Sequence, residues 1–216
     1  ASQPRTDLFG SILNNRTIMP AIELIAALMI CLVFYGIYYG RLRLERSVLI
    51  IAEAFLAGSV IAILLLVIPP YAIEKITDWR PVAEGFLLAA LPEKALGLIA
   101  MLYMVLRDRD ELSVKNSIGY GILIGAGFSF VENVTYALAY GSDIVYLRLF
   151  SSVSMHLTSL GLMGYMVGLG VIRSRKRGLM IGLGFLIPFL LHGLFDFSIL
   201  TGGLWNYSIP GHIIVP

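Results

Sequence analysis

The pattern most able to do chemistry is His192-Gly193-Leu194-Phe195-Asp196. Spacing of i, i+4 stacks an imidazole and a carboxylate on one helix face. An aspartate placed there accepts one ring N–H and fixes the histidine tautomer. Read structurally, the same pair is only a hydrogen-bonded anchor between helices. Three further groups stand upstream: Glu93 behind Pro92, Glu132-Asn133 within Gly-Phe-Ser-Phe-Val-Glu-Asn, and His156 in Ser-Val-Ser-Met-His, with Arg148 two turns before it. Carboxylates and imidazoles in one place serve hydrolysis by an activated water, a proton relay, or a metal centre.

The surroundings make these residues unusual. Of 216 residues 58% are hydrophobic, only 14% are charged, and the mean hydropathy is +0.84. Soluble domains carry about 25% charged residues, so the solvent of this chain is largely lipid. A charge at mid-bilayer costs about 2.5–3.5 kcal/mol on insertion scales, so such residues face the bundle interior, pair, and mark function. The net charge of +2 argues against nucleic acid as a partner. The single cysteine, Cys31, lies in an apolar run and reads as an inert buried thiol.

The elements that must position these residues are membrane helices. The expected fold is an all-α polytopic transmembrane bundle forming one integral membrane domain over 1–216. It has about six spans, at 18–39, 47–68, 82–106, 116–140, 145–172 and 178–200, each near the roughly 20 apolar residues that crossing requires. Residues 1–17 form a polar N-terminal segment without a basic n-region, so no removable signal peptide is expected. Pro69-Pro70 stops the second span, and Trp79 is an interfacial anchor. Residues 201–216, with Trp205, read as an interfacial loop.

Loop charge orients the bundle. Loops 40–46, 107–115 and 173–177 hold ten basic residues, against four (Arg5, Arg16, Lys75, Arg80) on the other side. The positive-inside rule places the three basic loops in the cytoplasm and both termini outside. Gly121/Gly125, Gly164/Gly168 and Gly178/Gly182 allow close helix approach. They predict a tightly packed later half with the first two helices peripheral.

This orientation brings the ionisable residues to one depth. Glu93 and His156 fall near the midplane, and Glu132, His192 and Asp196 from there toward the outer leaflet. Glu23 and Glu84 lie at span ends and read as structural, while Glu53 is expected to pair with an arginine of loop 40–46. Lys94 follows Glu93 directly, about 100° away around the helix, and is expected to point elsewhere. Pro92 is expected to kink the third span.

Taken together, Pro92-Glu93-Lys94-Ala95-Leu96-Gly97, Gly125-Ala126-Gly127-Phe128-Ser129-Phe130-Val131-Glu132-Asn133, Arg148 with His156, and His192-Gly193-Leu194-Phe195-Asp196 resemble the PrsW-type intramembrane proteases. That family is distantly similar to the CAAX prenyl protease and Abi group. The resemblance runs from about Leu91 to Phe197. One departure stands out: the family's Glu-Glu-x-x-Lys element has Pro92 for its first glutamate and Leu96 for its lysine.

The resemblance implies hydrolysis of a peptide bond in a membrane-anchored protein, such as an anti-sigma factor, within a bacterial or archaeal cell membrane. Glu93, His156 and His192 would then be the catalytic residues. Glu93 would take a proton from water and return it to the leaving amine, His156 would orient the water, and His192 would donate to the oxyanion. Glu132, Asn133 and Asp196 would support them, and Arg148 would bind substrate or snorkel to the interface. A metal version would place zinc on Glu93, Glu132, His156 and His192. The chain lacks His-Glu-x-x-His, and the expectation is a metal-free glutamate mechanism without cofactor. The alternatives are a non-catalytic peptide-binding or immunity protein and a proton-coupled transporter.

Overall fold

A computed structural model describes residues 48–67, 79–140, 143–173 and 175–201. The polar segment 1–17, the expected first span 18–39 with Glu23 and Cys31, the arginines of loop 40–46, Pro69-Pro70 and the 202–216 tail with Trp205 lie outside the described residues.

Among the described residues, five helices are long and apolar enough to cross a membrane: α1 (Val48–Val67), α2 (Arg80–Arg107), α3 (Val114–Tyr140), α4 (Ile144–Ile172) and α5 (Arg177–Leu200). A short 3₁₀ turn, Arg109–Glu111, links α2 to α3. Among the described residues there is no strand. Lipid offers the backbone no hydrogen bonds, so each span must satisfy its own peptide groups, and a helix does. The chain is an all-α polytopic membrane bundle. Large apolar side chains such as Leu56, Ile63, Leu186 and Leu190 are exposed, as a lipid-facing surface requires.

The helices α3 and α4 form the centre. Each has 56% of its apolar window buried, twice the share of α1 or α2. Their antiparallel contact is made by glycines. A Cβ on Gly121 would meet the Leu160 carbonyl, one on Gly125 the His156 carbonyl, and one on Gly164 the Ser117 carbonyl. Without side chains there the two backbones touch, the membrane substitute for a hydrophobic drive between helices. Gly178 and Gly182 behave differently: a Cβ on either meets nothing within 4 Å. Small residues four apart do not by themselves make an interface.

Helix α1 is not peripheral, contrary to the expectation. It crosses α3 at Gly58, which abuts the Ile124 carbonyl, and at Gly127, which abuts the Phe55 carbonyl. The hydroxyl of Ser59 donates to the Gly127 carbonyl at 3.2 Å. The expected pairing of Glu53 with loop 40–46 lies outside the described residues; within them Glu53 pairs with Arg107 and accepts from the Tyr103 hydroxyl at 2.7 Å, tying α1 to the end of α2.

Two helices carry widened, π-type turns. Residues Ala83–Ala90 of α2 form one, immediately before Pro92, and Leu149–Val153 of α4 form the other, between Arg148 and His156. Proline lacks the N–H that an α turn would use. The wide turn before Pro92 takes up that mismatch, and the helix continues as α from Leu91. Such turns shift the phase of a helix and recur at functional sites.

Candidate functional site

Side chains on a helix tilt toward its N-terminus. Because α3 and α4 are antiparallel, Glu132 on α3 and His156 on α4 tilt toward each other. Their side chains meet at 3.0 Å, His156 Nε2 to Glu132 Oε2. The same Glu132 oxygen lies 2.6 Å from Arg148 Nη2 and accepts from the Ser152 hydroxyl at 3.2 Å. Arg148 also donates from Nε to Asn133 Oδ1 at 2.9 Å and from Nη2 to Ser152 at 2.9 Å, and its guanidinium lies 3.7 Å from the centre of the Tyr136 ring. The wide turn Leu149–Val153 lets Arg148, Ser152 and His156 all address Glu132 from one helix.

Helix α5 brings the second imidazole. Pro188 lies within it, one turn before His192, and the helix runs on through Leu200. His192 Nε2 is 3.1 Å from Asp196 Oδ2 on the following turn. Helix α2 packs against this face through Gly85, with the Gly193 carbonyl 3.2 Å from a Cβ built there. That approach carries Glu93 to the histidines: its Oε2 lies 3.2 Å from His192 Nδ1 and 3.8 Å from His156 Nδ1. The imidazole rings meet edge to face, 5.0 Å between centres.

The tautomers follow from the partners. Glu132 is held by a guanidinium and is an acceptor, so His156 Nε2 carries the proton and Nδ1 the lone pair. Asp196 imposes the same choice on His192. Three acceptors thus converge, Glu93 Oε2 within 3.8 Å of both imidazole Nδ1 atoms, and the three residues offer ligand atoms within 4.8 Å of one another. Glu93 Oε2 and His192 Nδ1 are buried without a hydrogen-bond donor. Two buried acceptors facing each other at 3.2 Å need a shared proton or a cation between them. Two histidines and a carboxylate are the donor set of an open divalent-metal site, and each histidine's second nitrogen rests on a carboxylate, as metal-bound histidines require. The residues present therefore fit a metal.

The site sits at the base of a cavity of about 570 Å³. Its wall is apolar, with Leu65, Leu88, Leu147 and Phe195, and it reaches Glu93, Glu132, His192 and Asp196. All lining residues come from the end of the bundle where α1 and α3 finish and α2 begins. Glu84 lines the cavity too, with Arg80 2.6 Å away.

Glu93, Glu132, Asn133, Arg148, His156, His192 and Asp196, named from sequence, thus lie in one connected cluster. Three details differ from expectation. Glu132 stands behind His156 on Arg148 and is not one of the three convergent groups. Arg148 does not snorkel: it is buried, with Nε on Asn133 and Nη2 on Ser152 and Glu132, and it lines the cavity. Lys94 does not point elsewhere: it is 1% exposed, its ammonium 3.7 Å from Glu93 Oε2 and 3.5 Å from His156 Nδ1. Its long stem overcomes the 100° offset from Glu93. Sequence reasoning also passed over Ser152 and Tyr136. The i, i+4 spacing of Ser152 from Arg148 and of Tyr136 from Glu132 was the available signal.

Comparison with known proteins identifies the family. A sequence model of the PrsW family intramembrane metalloproteases matches residues 29–215. Among curated relatives, Protease PrsW of Geobacillus kaustophilus is 34% identical over 59% of this chain, but the match covers only 56% of that protein's own length. Those of Shouchella clausii and Oceanobacillus iheyensis are 25% and 26% identical, over 79% and 74% of both chains. No solved structure matches. With a family match across nearly its whole length, the chain belongs to the PrsW family of intramembrane metalloproteases, multi-pass integral membrane proteins known here from bacteria.

Proposed function

We propose that this protein is a metal-dependent intramembrane endopeptidase, with Glu93, His156 and His192 holding the metal and the cavity admitting a segment of a single-span membrane protein. The observation that carries the reading is the pair of donorless buried acceptors, Glu93 Oε2 and His192 Nδ1, beside His156 Nδ1. It moves the preference from a metal-free glutamate mechanism to one with a divalent cation. When bound, such an ion supplies Lewis acidity for a carbonyl and activates water at neutral pH.

The chain's own residues do the rest. Glu132 and Asp196 hold the two imidazoles in the tautomer that turns Nδ1 toward the site. Arg148, fixed by Asn133, Ser152 and Tyr136, keeps Glu132 an acceptor. Glu93 lines the cavity, and with Oε2 given to the metal its Oε1 is the oxygen left for proton transfer. There it takes a proton from the attacking water and returns it to the leaving amine, a role worth about 10²–10⁴ in rate. The apolar wall excludes bulk water and takes up an unwound stretch of substrate, whose side chains meet leucine and phenylalanine rather than charge.

The test is cleavage of single-span substrates by purified protein. Glu93→Gln is expected to lower the rate at least a hundredfold, and a chelator to abolish it. Undiminished cleavage in both Glu93→Gln and His192→Ala would sink the catalytic reading and leave a peptide-binding protein.

A further inference from the structure

Lys94 is buried against the cluster yet does not line the cavity that leads to it. Its ammonium approaches two atoms, His156 Nδ1 at 3.5 Å and Glu93 Oε2 at 3.7 Å. Both belong to the three acceptors that converge for a metal. With the His156 Nε2–H donating to Glu132, Nδ1 has one lone pair and can serve one cation at a time. An ammonium has three donors and no lone pair, so Lys94 can occupy these acceptors but cannot share them with a metal. His192 Nδ1, like Glu93 Oε2, has no hydrogen-bond donor. Lys94 therefore stays within hydrogen-bond reach of His156 Nδ1 and beside Glu93 Oε2 as an ion pair, and both Glu93 Oε2 and His192 Nδ1 still lack a hydrogen-bond donor.

We propose that Lys94 is a resident competitor for the metal site: its ammonium holds Glu93 and His156 in the metal-free protein and must withdraw from them when a divalent cation binds. This rests on the metal reading above. Competition is direct, through the lone pair of His156 Nδ1 and the charge of Glu93, and repulsion between the ammonium and an incoming dication adds to it, weakly screened away from water. Lys94 is thus a positioning residue that sets how tightly the site takes its metal. It also keeps the Glu93 carboxylate and the His156 ring oriented before the ion arrives.

The experiment is equilibrium Co²⁺ binding by the detergent-purified full chain, stripped with chelator and titrated against a competing indicator. Wild type, Lys94→Met, Lys94→Gln and His192→Ala are compared. Wild type is expected to bind one equivalent, His192→Ala to bind at least tenfold more weakly, and both Lys94 variants at least tenfold more tightly than wild type. Should Lys94→Met fail to elute as a monodisperse species, Lys94→Gln, which keeps a polar side chain in the buried position, decides alone. Lys94 variants that bind no tighter than wild type, while His192→Ala still weakens binding, would overturn the competition and leave the metal site standing. Absence of a specific site in wild type would overturn the metal reading, and this proposal with it.

Discussion

Glu132 and Asp196 do parallel work on the two histidines, each taking an Nε2–H, yet they are supported differently. Asp196 is paired along its own helix and lines the cavity, whereas Glu132 is locked by Arg148. Replacing Asp196 with alanine should therefore loosen His192 without unfolding the bundle. Metal affinity is expected to fall about 10–100-fold, the usual effect of losing such a partner, with the melting temperature little changed. Replacing Arg148 with alanine should instead strand a buried carboxylate, a loss of about 3–5 kcal/mol. Thermal unfolding in detergent checks this, and Arg148→Met combined with Glu132→Gln should recover much of the loss. A single variant as stable as wild type would mean that the pair is not buried as described. Residue types at this scale were readable in the sequence, because charges in apolar spans stand out. Their partners were not: nothing in the order Glu93-Lys94 tells how far a four-carbon stem will bend back, and nothing in the order of α1 and α2 pairs Glu53 with Arg107.

At the scale of elements, the glycines divide into those that touch a backbone and those that face open space. Gly121→Ala and Gly164→Ala would press a methyl into the carbonyls of Leu160 and Ser117. Each is expected to destabilise by about 1–3 kcal/mol or more, as overpacking does. Gly182→Ala, with nothing within 4 Å of its Cβ, should stay within about 0.5 kcal/mol of wild type. Comparable melting shifts in all three would contradict the α3–α4 contact. The helices themselves were legible because about 20 apolar residues in lipid have few alternatives to a helix. The widened turns at Ala83–Ala90 and Leu149–Val153 were not. Pro92 announced a disturbance, but whether a kink or a wide turn absorbs it depends on what α5 presents at Gly193 and Asp196.

Across the whole molecule, loop charge and cavity position make a joint claim about sidedness. The cavity opens toward the end of the bundle away from Arg107, Arg109 and the Arg173–Arg177 turn. If the positive-inside rule holds, that end faces outward. In a Cys31→Ser background, a cysteine at Arg109 or Arg175 should react with a membrane-impermeant maleimide only from the cytoplasmic side, and one at Trp79 only from outside. The opposite labelling would invert the bundle and place the cavity on the cytoplasmic side.

The central claim joins residue, element and molecule: peptide hydrolysis at a metal held by Glu93, His156 and His192. Its most direct test is the rate of substrate cleavage measured against metal occupancy, as chelator-stripped protein is titrated with a divalent cation. The account predicts a rate near zero in stripped protein that rises in proportion to occupancy and saturates at one equivalent per chain. Full cleavage by stripped protein, or a rate indifferent to occupancy, would contradict it.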